Sequence, residues 1–459
     1  MQNNIKDYIY SHKDEILADL SALVEIPSVK GEPTDGAPFG VEPKRALDKM
    51  LEICGGMGFK TSCCMDVVGS ADYAPDNAEV ALGILCHMDV VPCEPENWAT
   101  DPYKVTEKDG ILYGRGVIDD KGPAVAALYA MKCVKDLGIP LKKGVRFIFG
   151  TDEENGSGDM EIYMKHEKLP PNVFTPDGSF PVINVEKGMM RSFIGGKYEG
   201  GAVKRFRGGS IPNAVTDKAY AEVAAALSDV RAAIDADKSG AVFTAEEKNG
   251  IVCINAGGKS AHASTPESGI NAVTALISLL NKLPNEGKQA DMLNGLEKIF
   301  PCGETDASSV GLNAADKTGA TTLVFSIFNM ENGECSGVVD VRFPTCLDLK
   351  TVEDKERAAL AAAGCTLDKF MGDQPHCVDE DSEFVQALLR VYERIEGEKG
   401  KCIAIGGGTY VHHVEGGVAF GVERGDTDYH MHGADEFITL EELLRDAVIF
   451  ANAIVEICG

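Results

Sequence analysis

The chain opens on apolar residues at helical spacing. Ile5, Ile9, Ile16, Leu17, Leu20, Leu23 and Val24 recur every three to four positions and stop at Pro27, which predicts a helical opening. A second amphipathic stretch covers residues 43–57. Short apolar runs then alternate with helical patterns. Residues 80–86, 145–149 and 172–175 read as buried strands, and residues 122–137 as a helix closed by Gly138 and Pro140. Such alternation predicts an α/β layer around a largely parallel sheet, with its ligand crevice at the carboxyl ends of the strands.

The pattern changes near Lys187. From there to about Gln374 the chain carries an α+β pattern of its own, with strands at 251–255, 322–328 and 338–343 and a helix at 271–283. After Cys377 the first pattern resumes: a helix at 382–396, strands at 402–405 and 418–422, and a terminal helix at 440–457. The expectation is a discontinuous domain of residues 1–186 and 375–459, with residues 187–374 inserted as a second domain. No internal repeat or low-complexity tract interrupts it.

Composition narrows the function classes. The 459 residues leave room for two or three domains. A formal net charge of −28 opposes binding to nucleic acid or anionic membranes, both of which require a basic surface. The N-terminal Met1-Gln2-Asn3-Asn4-Ile5-Lys6-Asp7 has no basic segment followed by an apolar one, and no apolar run reaches membrane-spanning length, so a cytoplasmic location is expected. Fourteen cysteines are scattered without a Cys-x-x-Cys pair, which predicts reduced, mostly buried thiols, with Cys63-Cys64 the pair most open to oxidation.

The chemistry lies in five polar strings that follow apolar runs or glycine turns: Cys86-His87-Met88-Asp89, Asp119-Asp120-Lys121-Gly122, Asp152-Glu153-Glu154-Asn155, Thr175-Pro176-Asp177-Gly178 and Met431-His432-Gly433. Each has a bland reading when taken alone. The adjacent Glu153 and Glu154 could be an exposed acidic loop, His87 a satisfied core histidine, Asp119-Asp120 a helix cap, and Pro176-Asp177-Gly178 a turn. Together they supply imidazoles and carboxylates, the ligand set of a hydrolytic zinc or manganese site, and three of them fall at the same end of successive strands. His412, His413 and His430 accompany His432, so the histidine that belongs to the set stays open at this point.

In this order and spacing the strings resemble the M20 metallopeptidase family. The run 112–123, Leu-Tyr-Gly-Arg-Gly-Val-Ile-Asp-Asp-Lys-Gly-Pro, is close to its signature, and the PepV-like dipeptidase subgroup is similar across essentially the whole chain. The resemblance implies a zinc-peptidase-like catalytic domain with a mainly parallel central sheet and an inserted α+β lid. It also implies two divalent metal ions, zinc or alternatively manganese or cobalt. Asp119 would bridge them, His87 and Asp177 completing one site and Glu154 and His432 the other, with His430 as the rival of His432. Asp89 would orient the His87 ring, and Glu153 would act as general base. Alternation along an extended chain would turn Glu153 and Glu154 to opposite sides.

In the lid, Gly257-Gly258-Lys259-Ser260-Ala261-His262-Ala263-Ser264 resembles the family motif whose histidine donates to the oxyanion. Arg342 matches a position that binds the substrate's terminal carboxylate, Asn213 a polar position near the scissile group, and Gly408 and Tyr410 a segment whose backbone lines the substrate pocket. One departure is Val411-His412 after Tyr410, where relatives carry Ala-Arg, and it leaves side-chain preference open. The implied function is a metal-dependent dipeptidase acting on small peptides, monomeric because a long lid can donate His262 within one chain. An N-acyl-amino-acid deacylase or desuccinylase is the alternative with the same site, and a non-catalytic metal- or peptide-binding protein the alternative of another class.

Overall fold

A computed structural model describes residues 2–425 and 427–459; Met1 and Asp426, both within the range expected for the first domain, lie outside the described residues. The chain forms two compact units. One comprises residues 1–185, 377–403 and 408–459; the other comprises residues 186–376 and takes in Ala404–Gly407, a segment that the sequence pattern leaves in the first domain.

The first unit is built on a nine-stranded mixed sheet. Its middle is parallel. The Val80–His87 strand lies between Gly144–Gly150 and Asn172–Thr175, and Val418–Ala419 continues the parallel order beyond Asn172–Thr175. The flanks run antiparallel, with Lys60–Cys64 and Val68–Tyr73 on one side and Val182–Glu186 on the other. The central strands are apolar along their length because helices cover the sheet. The Lys121–Asp136 helix packs against both the sheet and the terminal Leu440–Cys458 helix, and both helices are rich in fully buried small residues, among them Ala124, Ala127, Ala447 and Ala451. The terminal helix opens on a capping box in which Thr439 and Glu442 satisfy one another's backbone N–H groups.

The opening differs from the sequence expectation. Two helices, Gln2–Ser11 and Lys13–Val24, meet at His12 rather than running on. Ser11 Oγ donates to the Tyr8 carbonyl at 2.7 Å, and His12 Nδ1 lies 2.7 Å from the same oxygen. Side chains thus compete for an acceptor that the helix would otherwise use, and the chain breaks there. The strand expected at 418–422 is confined to Val418–Ala419.

The second unit carries an eight-stranded antiparallel sheet. The Leu227–Asp235, Ala272–Leu280 and Leu349–Ala362 helices pack on it, and Lys288–Ile299 packs between the latter two. Five of its strands escape the sequence pattern: Gly188–Lys197, Val203–Gly208, Lys218–Val223, Val242–Lys248 and Cys365–Asp373. The last and Val242–Lys248 form the two edges, so their charged residues face solvent, and Gly195 and Gly196 dilute the apolar signal of the first.

Candidate metal centre

Three neighbouring parallel strands deliver the site. His87 is the last residue of Val80–His87, Glu153 and Glu154 follow Gly144–Gly150, and Asp177 follows Asn172–Thr175. All lie at carboxyl ends, where an α/β sheet leaves its crevice. Asp119 arrives on the loop between the Ile111–Tyr113 strand and the Lys121–Asp136 helix. His432 arrives on the loop before Phe437–Thr439, with its backbone in the left-handed region at φ 61°. A non-glycine residue held there costs about 1–3 kcal/mol and persists only where its surroundings impose it.

The five expected ligands come together as two overlapping groups. His87, Asp119 and Asp177 present ligand atoms that all lie within 4.8 Å of one another, and so do Asp119, Glu154 and His432. Asp119 is common to both, and its two oxygens face different imidazoles. Oδ1 lies 3.0 Å from His87 Nε2, and Oδ2 lies 2.9 Å from His432 Nε2. Asp177 Oδ2 is 3.7 Å from His87 Nε2, and Glu154 Oε2 is 3.2 Å from His432 Nε2. The rival His430 is turned edge-on to the Phe437 ring, with centroids 5.8 Å apart.

The donor set fits divalent cations. His87 is fully buried, and its Nδ1 lies 3.0 Å from the Asp89 carbonyl oxygen. A carbonyl only accepts, so Nδ1 carries the proton and Nε2 presents a lone pair. That lone pair points at carboxylate oxygens, which are also acceptors, and Nε2 makes no hydrogen bond despite the 3.0 Å approach of Asp119. Facing lone pairs repel unless a cation lies between them or a proton is taken up.

The ionisation of the cluster tells the same story. Burial works to lower the His87 imidazole, yet Asp119 and Asp89 outweigh it and hold it well above its ordinary range. His432 is pushed up to about 11 by hydrogen bonds to the Asp119 and Glu154 carboxylates. Burial works to raise Asp119, but His432 and His87 together hold it below the carboxylate range. Burial, with the Asp119 charge adding to it, raises Asp177 and Glu154. Glu153 is also raised well above its ordinary range, by burial first and then by Glu154, Asp119 and Asp89, against the opposing pull of His87. Without cations the cluster retains protons to limit its own repulsion.

Several residues do different work from that expected. Glu153 and Glu154 lie in a 3-10 turn, Glu153–Asn155, so strand alternation does not separate their side chains. The turn is held from below. Asp89 Oδ1 and Oδ2 accept the backbone N–H groups of Glu153 and Glu154, each at 3.2 Å. The Asp89 carboxylate therefore grips this turn, while its carbonyl, not its carboxylate, makes the close contact to the His87 ring. The Tyr410 side chain is buried, its ring edge-on to His87 and its hydroxyl donating to Asp159 at 2.5 Å. Val411 is fully buried beside it, and the His412 ring stands against His413 at 5.2 Å. Gly408 is exposed.

The expected lid residues gather within the second unit. Ala261–His262 pairs with Ala214–Val215, which sets His262 opposite Ala214, and Ala263 N–H donates to the Asn213 carbonyl at 2.9 Å. His262 is exposed, with Nδ1 2.7 Å from Ser264 Oγ. Arg342 is cross-strand to Thr322, whose hydroxyl donates to the Ala263 carbonyl. Its guanidinium is fixed by Asp340 (Nε to Oδ1, 2.6 Å) and by the Gly406 carbonyl (Nη1, 3.3 Å).

The sequence pattern passes over four charged residues that support the centre. Asp120 Oδ2 accepts the His87 backbone N–H at 3.0 Å instead of capping the helix that it precedes. Asp159 accepts from Thr151 and Asp152 below the glutamate turn. Glu436 and Arg115 pair beneath Asp119 and His432. All four are buried. A cavity of about 340 Å³ opens beside His432, lined by Glu94, Asn97, Trp98 and Arg115 among others.

The family model for peptidase family M20/M25/M40 matches residues 83–456. The chain is 33% identical over 481 residues to a Beta-Ala-Xaa dipeptidase of Lactobacillus delbrueckii subsp. lactis, covering 100% of this chain and 99% of that protein. It is 32% identical over 463 residues to a putative dipeptidase, YtjP, of Bacillus subtilis (strain 168), with 97% of each covered. In fold it is similar to human carnosine dipeptidase 1, with a TM-score of 0.60 at 17% identity covering 99% and 98% of the two chains, and to the dipeptidase Dug1p of Saccharomyces cerevisiae, with a TM-score of 0.62 at 14% identity and the same coverage. A match spanning most of the chain, full-length relatives above 30% identity and a shared fold place the chain in peptidase family M20/M25/M40 as an M20-type metallopeptidase.

Proposed function

We propose that the chain is a dipeptidase that cleaves the peptide bond of short peptides with two divalent cations, zinc by preference. The observation that carries this reading is the pair of three-residue ligand groups sharing Asp119. His87, Asp119 and Asp177 would hold one cation, and Asp119, Glu154 and His432 the other. Bound there, the two cations would supply polarisation of the scissile carbonyl and acidification of the attacking water.

The residues of the chain do the rest. Glu153 takes the proton of the attacking water and passes it to the leaving amine. Its side chain accepts no hydrogen bond among the described residues, so its carboxylate is left to face the attacking water. Asp89 holds the Glu153–Asn155 turn in register with His87. His262 donates to the developing oxyanion, and Arg342, already fixed in plane by Asp340, receives the terminal carboxylate of the peptide. Asn213 adds a polar contact at the scissile group. Gly408 and the backbone of Tyr410 border the substrate, while the Tyr410 side chain serves packing.

A panel assay tests this reading. Dipeptides, their C-terminally amidated forms and N-acyl amino acids are compared with added zinc or manganese, alongside elemental analysis. The expected result is about two ions per chain, hydrolysis of free dipeptides, and loss of activity on amidated ones. Preference for N-acyl amino acids would replace the dipeptidase reading with the deacylase one.

The same proposal includes a monomer in which His262 acts within its own chain. Light scattering is expected to give the mass of one chain, and an obligate dimer would contradict it. A cytoplasmic location completes the proposal, supported by fourteen cysteines scattered through the sequence without a Cys-x-x-Cys pair.

A further inference from the structure

The loops that carry Asp119 and His432 are joined by a clamp containing no cation ligand. Glu436 is fully buried. Its Oε1 accepts three backbone N–H groups, from Gly116 at 2.9 Å, Ile118 at 3.1 Å and Asp119 at 3.4 Å. Its Oε2 pairs with Arg115 Nη1. The other arm of that guanidinium, Nη2, donates to the Gly433 carbonyl at 2.9 Å, one residue beyond His432. Arg115 also lies over the Trp98 ring, 5.3 Å from its centroid. The backbone repeats the connection. Gly114 N–H donates to the Glu436 carbonyl at 3.1 Å, and Phe437–Thr439 pairs with Ile111–Tyr113.

A buried ion pair is a poor device for stability alone, because desolvation consumes most of its attraction. This pair is placed where it does something else. One carboxylate oxygen gathers the N–H groups of the Asp119 loop, and one guanidinium arm reaches the carbonyl beside His432. Both loops are irregular, so neither has a ladder of its own to hold a side chain within tenths of an ångström. His87 needs no such support, since it ends a central strand and is fixed through Asp120 and Asp89.

We propose that Glu436 and Arg115 are positioning residues that set the spacing of Asp119 and His432, and that they govern the affinity of the cation held by Asp119, Glu154 and His432 more strongly than that of the cation held by His87, Asp119 and Asp177, which depends on the clamp through Asp119 alone. The inference rests on the two-cation reading of the site. The supporting hydrogen bonds behind a metal ligand typically contribute 10–100-fold in affinity. Glu436→Gln keeps the volume and one acceptor but places an amide N–H₂ among donors and removes the charge facing Arg115. Arg115→Lys keeps a cation for Glu436 but has no second arm for Gly433.

Calorimetric titration of the metal-free protein with zinc reads both sites without an activity assay. The wild type is expected to take up two ions. In Glu436→Gln one event should weaken by about 10–100-fold and the other by clearly less, and Arg115→Lys should weaken the same event most. Asp72→Asn, which breaks the Arg146 pair on the flank of the sheet (2.8 Å), is the control for a merely structural loss: it should lower the melting temperature and leave both events in place. Unchanged affinities in both clamp variants, or equal weakening of the two events, overturns the proposal. If Glu436→Gln fails to fold, the Arg115→Lys titration decides alone. Uptake of one ion or none by the wild type would bring down the two-cation reading and the clamp with it, an outcome distinct from two wild-type ions that the clamp variants leave untouched.

Discussion

Glu153→Gln is expected to lower kcat by about 10²–10⁴-fold, the range that a positioned general base contributes, while the protein still binds two cations. The side chain keeps its size and its place on the Glu153–Asn155 turn, because Asp89 grips the turn through backbone N–H groups that the substitution leaves alone. What disappears is a carboxylate that can take up a proton. Glu154→Gln, one residue on, should behave differently, since Glu154 Oε2 faces His432 Nε2 and its loss should cost a cation. Elemental analysis and steady-state kinetics on the two variants separate the roles. Wild-type turnover in Glu153→Gln, or loss of a cation from it, would remove Glu153 from the role of base.

The second large effect belongs to Asp119. Asp119→Asn should empty both sites and bring hydrolysis below detection, whereas Asp177→Asn or His432→Ala should remove one ion each. The difference follows from geometry: Oδ1 faces His87 and Oδ2 faces His432, so one carboxylate serves both groups. An amide offers a single oxygen and no charge. Thermal denaturation gives an independent readout. A ligand that binds only the folded state adds about 2.7 kcal/mol of stability per site at a hundredfold excess over its dissociation constant. Zinc should therefore raise the melting temperature of the wild type and leave that of Asp119→Asn nearly where it was. A zinc-dependent rise of wild-type size in the variant would show that Asp119 is not shared.

How much of this was legible in the sequence depends on how local each signal is. The central strands announce themselves as apolar runs, and the polar residues that close them mark the crevice, so His87, Glu154 and Asp177 could be placed before any coordinates. His432 could be separated from His430 only by resemblance, because their separation in space depends on a backbone that turns left-handed at both residues. The break at His12 and the turn at Glu153 depend on side chains that capture backbone groups, which apolar periodicity does not register. The edge strands of the second unit, with one row of backbone groups facing solvent, accept charged residues that mask their alternation. Arg115 and Glu436 are the instructive omission. Arg115 lies between two glycines in the run 112–123 and Glu436 four residues beyond His432, yet a charged residue in such a loop looks exposed until its partner, more than three hundred residues away, is known.

That separation has a consequence for how the enzyme is made. Ile118 and Glu436, bonded through backbone and carboxylate, are 318 positions apart. During synthesis the strands that lead to His87, Glu154 and Asp177 leave the ribosome before His432, Glu436 and the Leu440–Cys458 helix that covers Lys121–Asp136. Contacts of such range form late because the intervening chain must first be closed into a loop. On the two-cation reading, a nascent chain would hold at most the His87 half of the centre until the segment bearing His432 and Glu436 has been made and has folded back.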